Sequence, residues 1–507
     1  MHLAMSDQIR AIDQYALTTL HIPTDTLIQR SGGAVARVVR EHIPLGASVV
    51  VLAGKGNNGA DGYAAASQLM DDYRVCVVDV FSLDPTSEQG SSVRTAYLTK
   101  GGRVLAMTQE ALTCVAEADC LIDAIFGTGF HGQIPSVLYP LCDAFDASHA
   151  YKIAVDLPLG VDPDDGHVQP RAFHVDATVV LSFMKAGLVS YPGRAYVGAL
   201  TLDTIGLPTE ELSTQFPFRR AWIDEAFVAA HLPARRADAN KATFGRVCLV
   251  TGSAAYRGAA HLSLAAALRG GVGYVHYFGE ASLVDSLLPA YPEALYHTVA
   301  PTDALAQADI DGILRDSAQA RAILVGCGSG CSEGLYRLIH AMLTTEGPTI
   351  ILDADAINAL CQYGEPRELA SAARPVILTP HPKEFSRLCG HTVDDIQANR
   401  LSMAEAFAKA HGVTLVLKGA GTIVTDGCHT YINSSGSTAL SKAGSGDALA
   451  GCVTALCAQT EPSIAAALAV YLHGRAADAV SDELSPFGVT PSDLPCAIAR
   501  EIRRILA

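Results

Sequence analysis

The chain has 507 residues, of which 49% are apolar, 17% charged and 6% aromatic, with 44 glycines. That length predicts two or three domains with sizeable cores, and the composition excludes a disordered chain and a small disulfide-stapled scaffold. The formal charge of −16 argues against a partner held through a polyanionic surface, whether nucleic acid or anionic membrane.

The opening stretch, MHLAMSDQIRAID, lacks a basic segment leading into an apolar core and a small-residue cleavage site, so a cytoplasmic protein is expected. Ser6 is positioned to cap a first helix running through Leu17. Short Val/Ile-rich runs then alternate with helical patterns. Ser48–Ala53, Val75–Val80, Cys120–Ile125, Ile153–Asp156 and Thr178–Phe183 read as strands, and Asp61–Met70 and Val93–Lys100 as helices. Strands apolar on both faces call for a parallel sheet covered on both sides. The charge-free run at 124–142 carries Gly, Pro, His and Gln and is no membrane span.

At Leu207–Phe218 the alternation loosens around two prolines, which places a domain boundary there and divides the chain into 1–215 and 225–507. A second series follows. Arg246–Thr251, Ala322–Val325, Ile350–Asp353, Val376–Thr379, Thr414–Lys418 and Thr422–Thr425 read as strands; Ala260–Arg269, Arg400–His411, Asp447–Ala458 and Ile464–Val480 read as helices. The class is α/β, with two tandem domains. Thirteen cysteines without a CxxC pair or a His/Cys cluster of zinc spacing read as buried reduced thiols.

After the first strong strand come Gly54, Gly56 and Gly59, a G-x-G-x-x-G turn into a helix, with Asp79 20 residues on. Alone this is a dinucleotide fingerprint, compatible with a nicotinamide dehydrogenase or with a bare strand-to-helix turn. Asn57, Asn58 and Asp61 add two amides and a carboxylate that a turn does not need. Asp123 with Gly127–Gly132 ends another strand, and Asp156-Leu-Pro-Leu159-Gly a third. In an open parallel sheet the C-terminal strand ends line one crevice, so these strings describe one polar pocket.

The strings GNNGADG, DAIFGTGF and DLPLGVD, in that order, resemble the epimerase domain of the NAD(P)H-hydrate repair enzymes over most of residues 1–215. The resemblance implies a Rossmann-like three-layer domain that interconverts R and S hydrates of NADH and NADPH. It implies hydrate binding by Asn57, Asn58, Gly59, Ala60, Asp61, Gly127, Thr128, Gly129, Phe130, His131, Gly132, Gln133 and Asp156, with Asp156 catalytic. It also implies a potassium ion held by Asn58, Asp123 and the position of Leu159. The family usually has Gly at position 60 and Ser at position 159.

The strongest string of the second half is Ser441-Lys-Ala-Gly444-Ser-Gly446-Asp447. Two glycines before an apolar helix that is expected to begin at Asp447 make an anion hole, and a carboxylate in the first turn can take a hydroxyl proton during phosphoryl transfer. His381, between two prolines at a strand end, is expected to face the same crevice, although a capping role remains open.

Together with DADAIN, TPHPKE and KGAGT, this resembles the ribokinase-like dehydratase domain of the same enzymes over about residues 225–507. The resemblance implies Asp447 as catalytic acid/base. Hydrate contacts would come from Ala259, Gly328, His381 and Asp447, and nucleotide contacts from Lys418, Gly419, Ala420, Gly421, Thr422 and Gly446. Cys327 and Ser329 depart from the usual GPGLG, and Lys383 stands where Gly is usual. The implied activity spends ADP or ATP, with Mg²⁺ on the phosphates, to phosphorylate the ring hydroxyl and expel phosphate. The expected partners are NADHX, NADPHX and an adenine nucleotide, with no nucleic acid or membrane, and the expected assembly is a homo-oligomer. Three rivals remain at this point: a small-molecule kinase, a nicotinamide dehydrogenase, and a non-enzymatic binding protein built on the first domain.

Overall fold

The computed structural model describes residues 1–81, 88–130 and 132–507. It divides into two compact units, His2–Arg220 and Met1 with Ala221–Ala507.

The first unit is built on seven parallel strands. Across the sheet they run Arg103–Ala106, Arg74–Asp79, Ser48–Ala53, Cys120–Ala124, Tyr151–Val155, Ala177–Leu181 and Ala199–Asp203. The central strands are buried on both faces, as their unbroken Val/Ile/Leu runs require. One apolar cluster lies under the helices Ser6–Thr18, Thr24–His42 and Asn57–Leu69. A second lies on the opposite face, against Gln109–Ala116 and Tyr139–Ala147. Small residues set the approach of two helices: a Cβ on Gly32 would fall 2.7 Å from that of Ala64.

The second unit repeats the logic on nine strands, with the short strand Arg220–Ile223 paired beyond the last of them. Their order is Leu295–Thr298, Tyr274–Gly279, Arg246–Val250, Ala322–Val325, Thr349–Leu352, Val376–Leu378, Thr414–Leu417, Ile423–Thr425 and Thr430–Asn433. The first seven are parallel; Ile423–Thr425 runs antiparallel to Thr414–Leu417, and Thr430–Asn433 antiparallel to Ile423–Thr425. The helices Arg257–Arg269, Ser445–Cys457 and Pro462–Gly488 carry its larger core; their Ala-rich faces let the first two pack closely, with a Cβ on Gly451 landing 2.2 Å from the Ser263 carbonyl oxygen.

Three expectations need correction. Ser6 is the first helical residue rather than the cap; its amide and hydroxyl both donate to Asp164. The stretch read as irregular contains a helix, Thr209–Gln215, anchored by the fully buried Leu212; the units part at Arg220 and Ala221, between the expected 1–215 and 225–507. The helix after Gly444 begins at Ser445, which makes Asp447 its third residue. Edge strands at Arg103–Ala106 and Ala199–Asp203 were not expected, because each is half exposed and mixes polar with apolar residues. Every cysteine is a free thiol, and no described helix is long and apolar enough to cross a membrane.

Candidate functional sites

In each sheet the strand order reverses once, and the loops on either side of the reversal diverge to leave a crevice at the carboxyl ends. In the first unit the reversal falls between Ser48–Ala53 and Cys120–Ala124. The loop Gly54–Gly59 lies against the loop from Ile125: a Cβ on Gly54 would sit 1.9 Å from the Ile125 carbonyl oxygen, and one on Gly59 only 2.0 Å from that of Gly54. These glycines serve close backbone packing.

The crevice is a cavity of about 860 Å³ lined by Asn57, Asn58, Asp61, Gly127, Thr128, Gly129, Phe130 and Asp156 from the expected set. It adds polar groups outside the expected set, among them Arg10, Asp13, Ser31, Lys55 and Lys185, and the rings of Phe81 and Phe126. Phe126 stacks on Phe130 with centroids 3.8 Å apart. Gly59 and Ala60 are buried behind the loop and do not line the cavity. Gly132 and Gln133 border a separate cavity of about 400 Å³, where Gln169 donates to the Gly132 carbonyl. His131 lies outside the described residues. Asp79, the expected ribose acid, is 4% exposed and absent from the main cavity.

The charge arrangement is unusual. Lys185 is 1% exposed; its ammonium donates to Asp156 Oδ1 and, at 2.7 Å, to the Leu181 carbonyl. Asp156 itself has φ 68°, a left-handed conformation that a non-glycine residue adopts only when its surroundings enforce it. The Leu181 amide, 3.1 Å from Oδ1, supplies part of that enforcement. Burial raises Asp13 to about 6, against the pull of Lys185. It holds Asp61 well above the carboxylate range, with Asp156 adding repulsion and Ser31 a stabilising hydrogen bond. Asp61, whose proton affinity burial raises, thus stands next to the Asp156–Lys185 ion pair.

At the cavity wall, Asn58 Nδ2 donates to the Phe126 carbonyl at 2.8 Å, while its Oδ1 is buried without a hydrogen-bond partner. Asp123 is fully buried. It accepts from the amides of Ile125 (3.1 Å) and Leu159 (2.7 Å), and burial still raises it to about 7. An orphaned amide oxygen and a desolvated carboxylate are each the kind of oxygen donor that a hard cation takes. Leu159 contributes differently from a ligand: its side chain belongs to the core, its N–H holds Asp123, and its carbonyl accepts from Phe173 at 2.8 Å.

In the second unit the reversal falls between Arg246–Val250 and Ala322–Val325. Its loops gather Gly326–Gly330, Asp353, His381, Lys418–Thr422 and Ser445–Asp447. Asp353, 1% exposed, is the hub. It accepts from Lys418 Nζ (2.8 Å) and the Thr379 hydroxyl (2.7 Å) through Oδ1, and from Cys327 Sγ (3.4 Å) through Oδ2. Ligand atoms of Cys327, Asp353 and Asp447 all lie within 4.8 Å of one another. Burial raises Asp447 to about 6, with Asp353 adding repulsion and Cys327 and Lys418 opposing it. A Cβ on Gly446 would stand 3.4 Å from Lys418 Nζ, so that position brings the helix start against the ammonium. Gly328 packs on Ala259, with Cβ positions 2.7 Å apart.

His381 settles its open alternative. It caps the helix Pro382–Cys389, Nδ1 accepting from the amides of Lys383 (3.1 Å) and Glu384 (3.2 Å), and still leaves about half of its side chain exposed. Desolvation and Lys418 lower its pKa, which favours the neutral ring that capping requires. Behind the Lys418 loop, buried Arg400 donates to the carbonyls of Leu417 (3.2 Å) and Lys418 (3.3 Å). Beneath Ser445, buried His473 meets its carbonyl at 3.0 Å and is pushed down to about 4.

Comparison with known proteins agrees with both halves. A family described as NAD(P)H-hydrate dehydratase matches residues 247–500, and one described as YjeF-related protein N-terminus matches 24–187. The bifunctional NAD(P)H-hydrate repair enzyme of Moorella thermoacetica is 32% identical over 97% of this chain and 95% of its own. Its counterpart in Escherichia coli is 28% identical over 98% and 93%. A ribokinase-like superfamily protein from Enterococcus faecalis shares the fold at a TM-score of 0.50 and 24% identity, covering 57% of this chain and 97% of its own. With two matched halves in one order and a relative similar along nearly its whole length, the chain belongs to the family of bifunctional NAD(P)H-hydrate repair enzymes.

Proposed function

We propose that the chain restores hydrated NADH and NADPH in two steps, epimerisation in the first unit and nucleotide-driven dehydration in the second. The observation that carries this is the pair of switch-point crevices, each holding a carboxylate raised by burial next to a lysine–aspartate ion pair.

In the first crevice, protonated Asp61 donates to the C6 hydroxyl as the C6–O bond breaks, the ring-nitrogen lone pair forming an iminium and water leaving. Water then adds to the opposite face and gives up a proton to a neighbouring carboxylate. Asp156, fixed by Lys185, and Asp13 are the acceptors. Asn57, Thr128 and Gly129 line the space for the dinucleotide, and Phe126 and Phe130 offer it aromatic faces. Asn58 and Asp123 are the residues suited to hold potassium, which would neutralise the buried carboxylate and fix the loop from Ile125. Leu159 serves through its backbone amide.

In the second crevice, Asp447 removes the C6 hydroxyl proton as a phosphoryl group passes to that oxygen. The ring nitrogen then expels phosphate, and loss of a proton from C5 restores the double bond. Phosphorylation turns a poor leaving group into a good one. Lys418, Gly419–Thr422 and Gly446 receive ADP or ATP, whose phosphates carry Mg²⁺. Ala259, Gly328 and His381 flank the hydrated ring.

The test supplies separated R and S hydrates with ADP or ATP and follows reduced-nicotinamide absorbance. Recovery from both epimers is expected. No recovery from either refutes the second step, and recovery from S alone refutes the first.

A further inference from the structure

A second cavity, of about 490 Å³, opens beside the loop that carries Gly328. It lies within the roughly 300–1,000 Å³ of small-molecule sites. Its walls come from Thr251–Tyr256, Phe278–Glu280, Val299–Asp303 and Ser329–Ser332. Tyr256, 61% exposed, forms a rim: its Cβ is 2.8 Å from the point where a Cβ on Gly328 would lie. The cavity therefore adjoins the loop of the proposed hydrate site, and beside it Gly258 leaves open space at the start of the helix Arg257–Arg269. A dinucleotide with its damaged ring near Gly328 has its pyrophosphate and adenosine still to place.

Two carboxylates face this cavity, Glu280 and Asp303, and none of the described residues lining it is Lys, Arg or His. Arg257, next along the chain after Tyr256, turns its Nε to the Ala254 carbonyl at 3.3 Å. Glu280 directly follows the strand Tyr274–Gly279, second in a strand–helix–strand unit. In nucleotide-binding sheets an acid at that strand end accepts from the ribose 2′-hydroxyl and repels a 2′-phosphate. The Ser282 hydroxyl, 3.0 Å from Glu280 Oε1, fixes the carboxylate. Asp79, at the corresponding strand end of the first unit, is buried instead.

We infer that this cavity takes the adenosine half of the hydrate, and that Glu280 and Asp303 make the dehydratase selective for hydrates with a free ribose 2′-hydroxyl, NADHX over NADPHX. The inference rests on the proposed dehydration, and its test separates the two.

With S epimers of both hydrates and the same nucleotide, kcat/KM is expected to favour NADHX by about tenfold or more, the effect of setting a phosphate dianion against two carboxylates. The Glu280→Gln/Asp303→Asn double variant should bring the ratio near one by improving NADPHX. A wild-type ratio near one, or a ratio unchanged in the variant, overturns the inference. Calorimetric titration of the full chain and of the double variant with NAD⁺ and NADP⁺ reads the pocket without turnover, because the first crevice is the same in both: an NAD⁺ preference that the variant loses supports it, while binding that is identical in wild type and variant overturns it. Absence of turnover with both hydrates would sink the dehydratase reading alone and leave the titration to decide the pocket.

Discussion

Replacing Asp447 by Asn should abolish dehydration and at the same time stabilise the second unit. Burial and the adjacent Asp353 raise the Asp447 carboxyl from 3.8 to about 6, so ionising it costs more in the folded than in the unfolded chain. Between those two values the folded state binds the proton more readily, and stability therefore falls as pH rises through the window. The full penalty applies above about pH 6 and none below 3.8. A shift of roughly two units corresponds to about 3 kcal/mol; because the side chain is partly exposed, screening reduces the expected gain to about 1–3 kcal/mol. Asparagine keeps the shape and escapes the penalty, so the melting temperature at about pH 7 should rise by a few degrees. Scanning calorimetry of wild type and variant at about pH 7 and pH 4 checks it. A variant less stable at pH 7, or equally stabilised at both pH values, would refute the electrostatic argument. Retained dehydration would refute the catalytic one. The same ionisation predicts that wild-type dehydration falls below about pH 6, provided the chemical step limits the rate.

Three further outcomes are expected. Lys185→Met leaves Asp156 ionised and buried without its cation, so the first unit should lose about 3–5 kcal/mol in urea unfolding and epimerisation should cease; wild-type stability would contradict the ion pair. Gly59→Ala places a methyl 2.0 Å from the Gly54 carbonyl oxygen, and the first unit should misfold while S-hydrate dehydration survives; an active epimerase would show that the loop can shift. Removing Mg²⁺ with a chelator should stop dehydration and leave epimerisation of R to S intact, and chromatography of the two epimers reads that difference.

Much of both crevices was legible because the chemistry is written in short strings at strand ends. GNNGADG, DAIFGTGF and AGSGD each couple glycines, which the close backbone contacts demand, to polar groups that a turn does not require. What lay outside those strings was harder to see. Asp13 reaches the first pocket from an unremarkable helix, and only the folded chain shows it beside Lys185 and Asp156. Lys185 did carry a signal: it stands in an apolar run, FMKAGLV, and a charge that must be buried has to be paired. The fingerprint misled at Asp79 because the pattern records spacing along the chain, while exposure depends on what covers the strand end. Gln133 and Gly132 share a loop with Gly129, yet they line another cavity. Half-exposed edge strands escaped notice because periodicity weakens where only one face is buried.

The thiol of Cys327 sits between two carboxylates, fully buried, with its pKa driven well above the ordinary thiol value by desolvation and by Asp353 and Asp447. Oxidants and alkylating agents attack the thiolate. A sulfur whose ionisation is this strongly opposed is a poor target, although it touches the centre of the proposed reaction. Damage should begin instead at Cys428 and Cys496, which are exposed and outside both crevices. Loss of titratable thiol under peroxide would then run ahead of loss of activity, leaving a repair enzyme that keeps working in the oxidising conditions that mark its own surface.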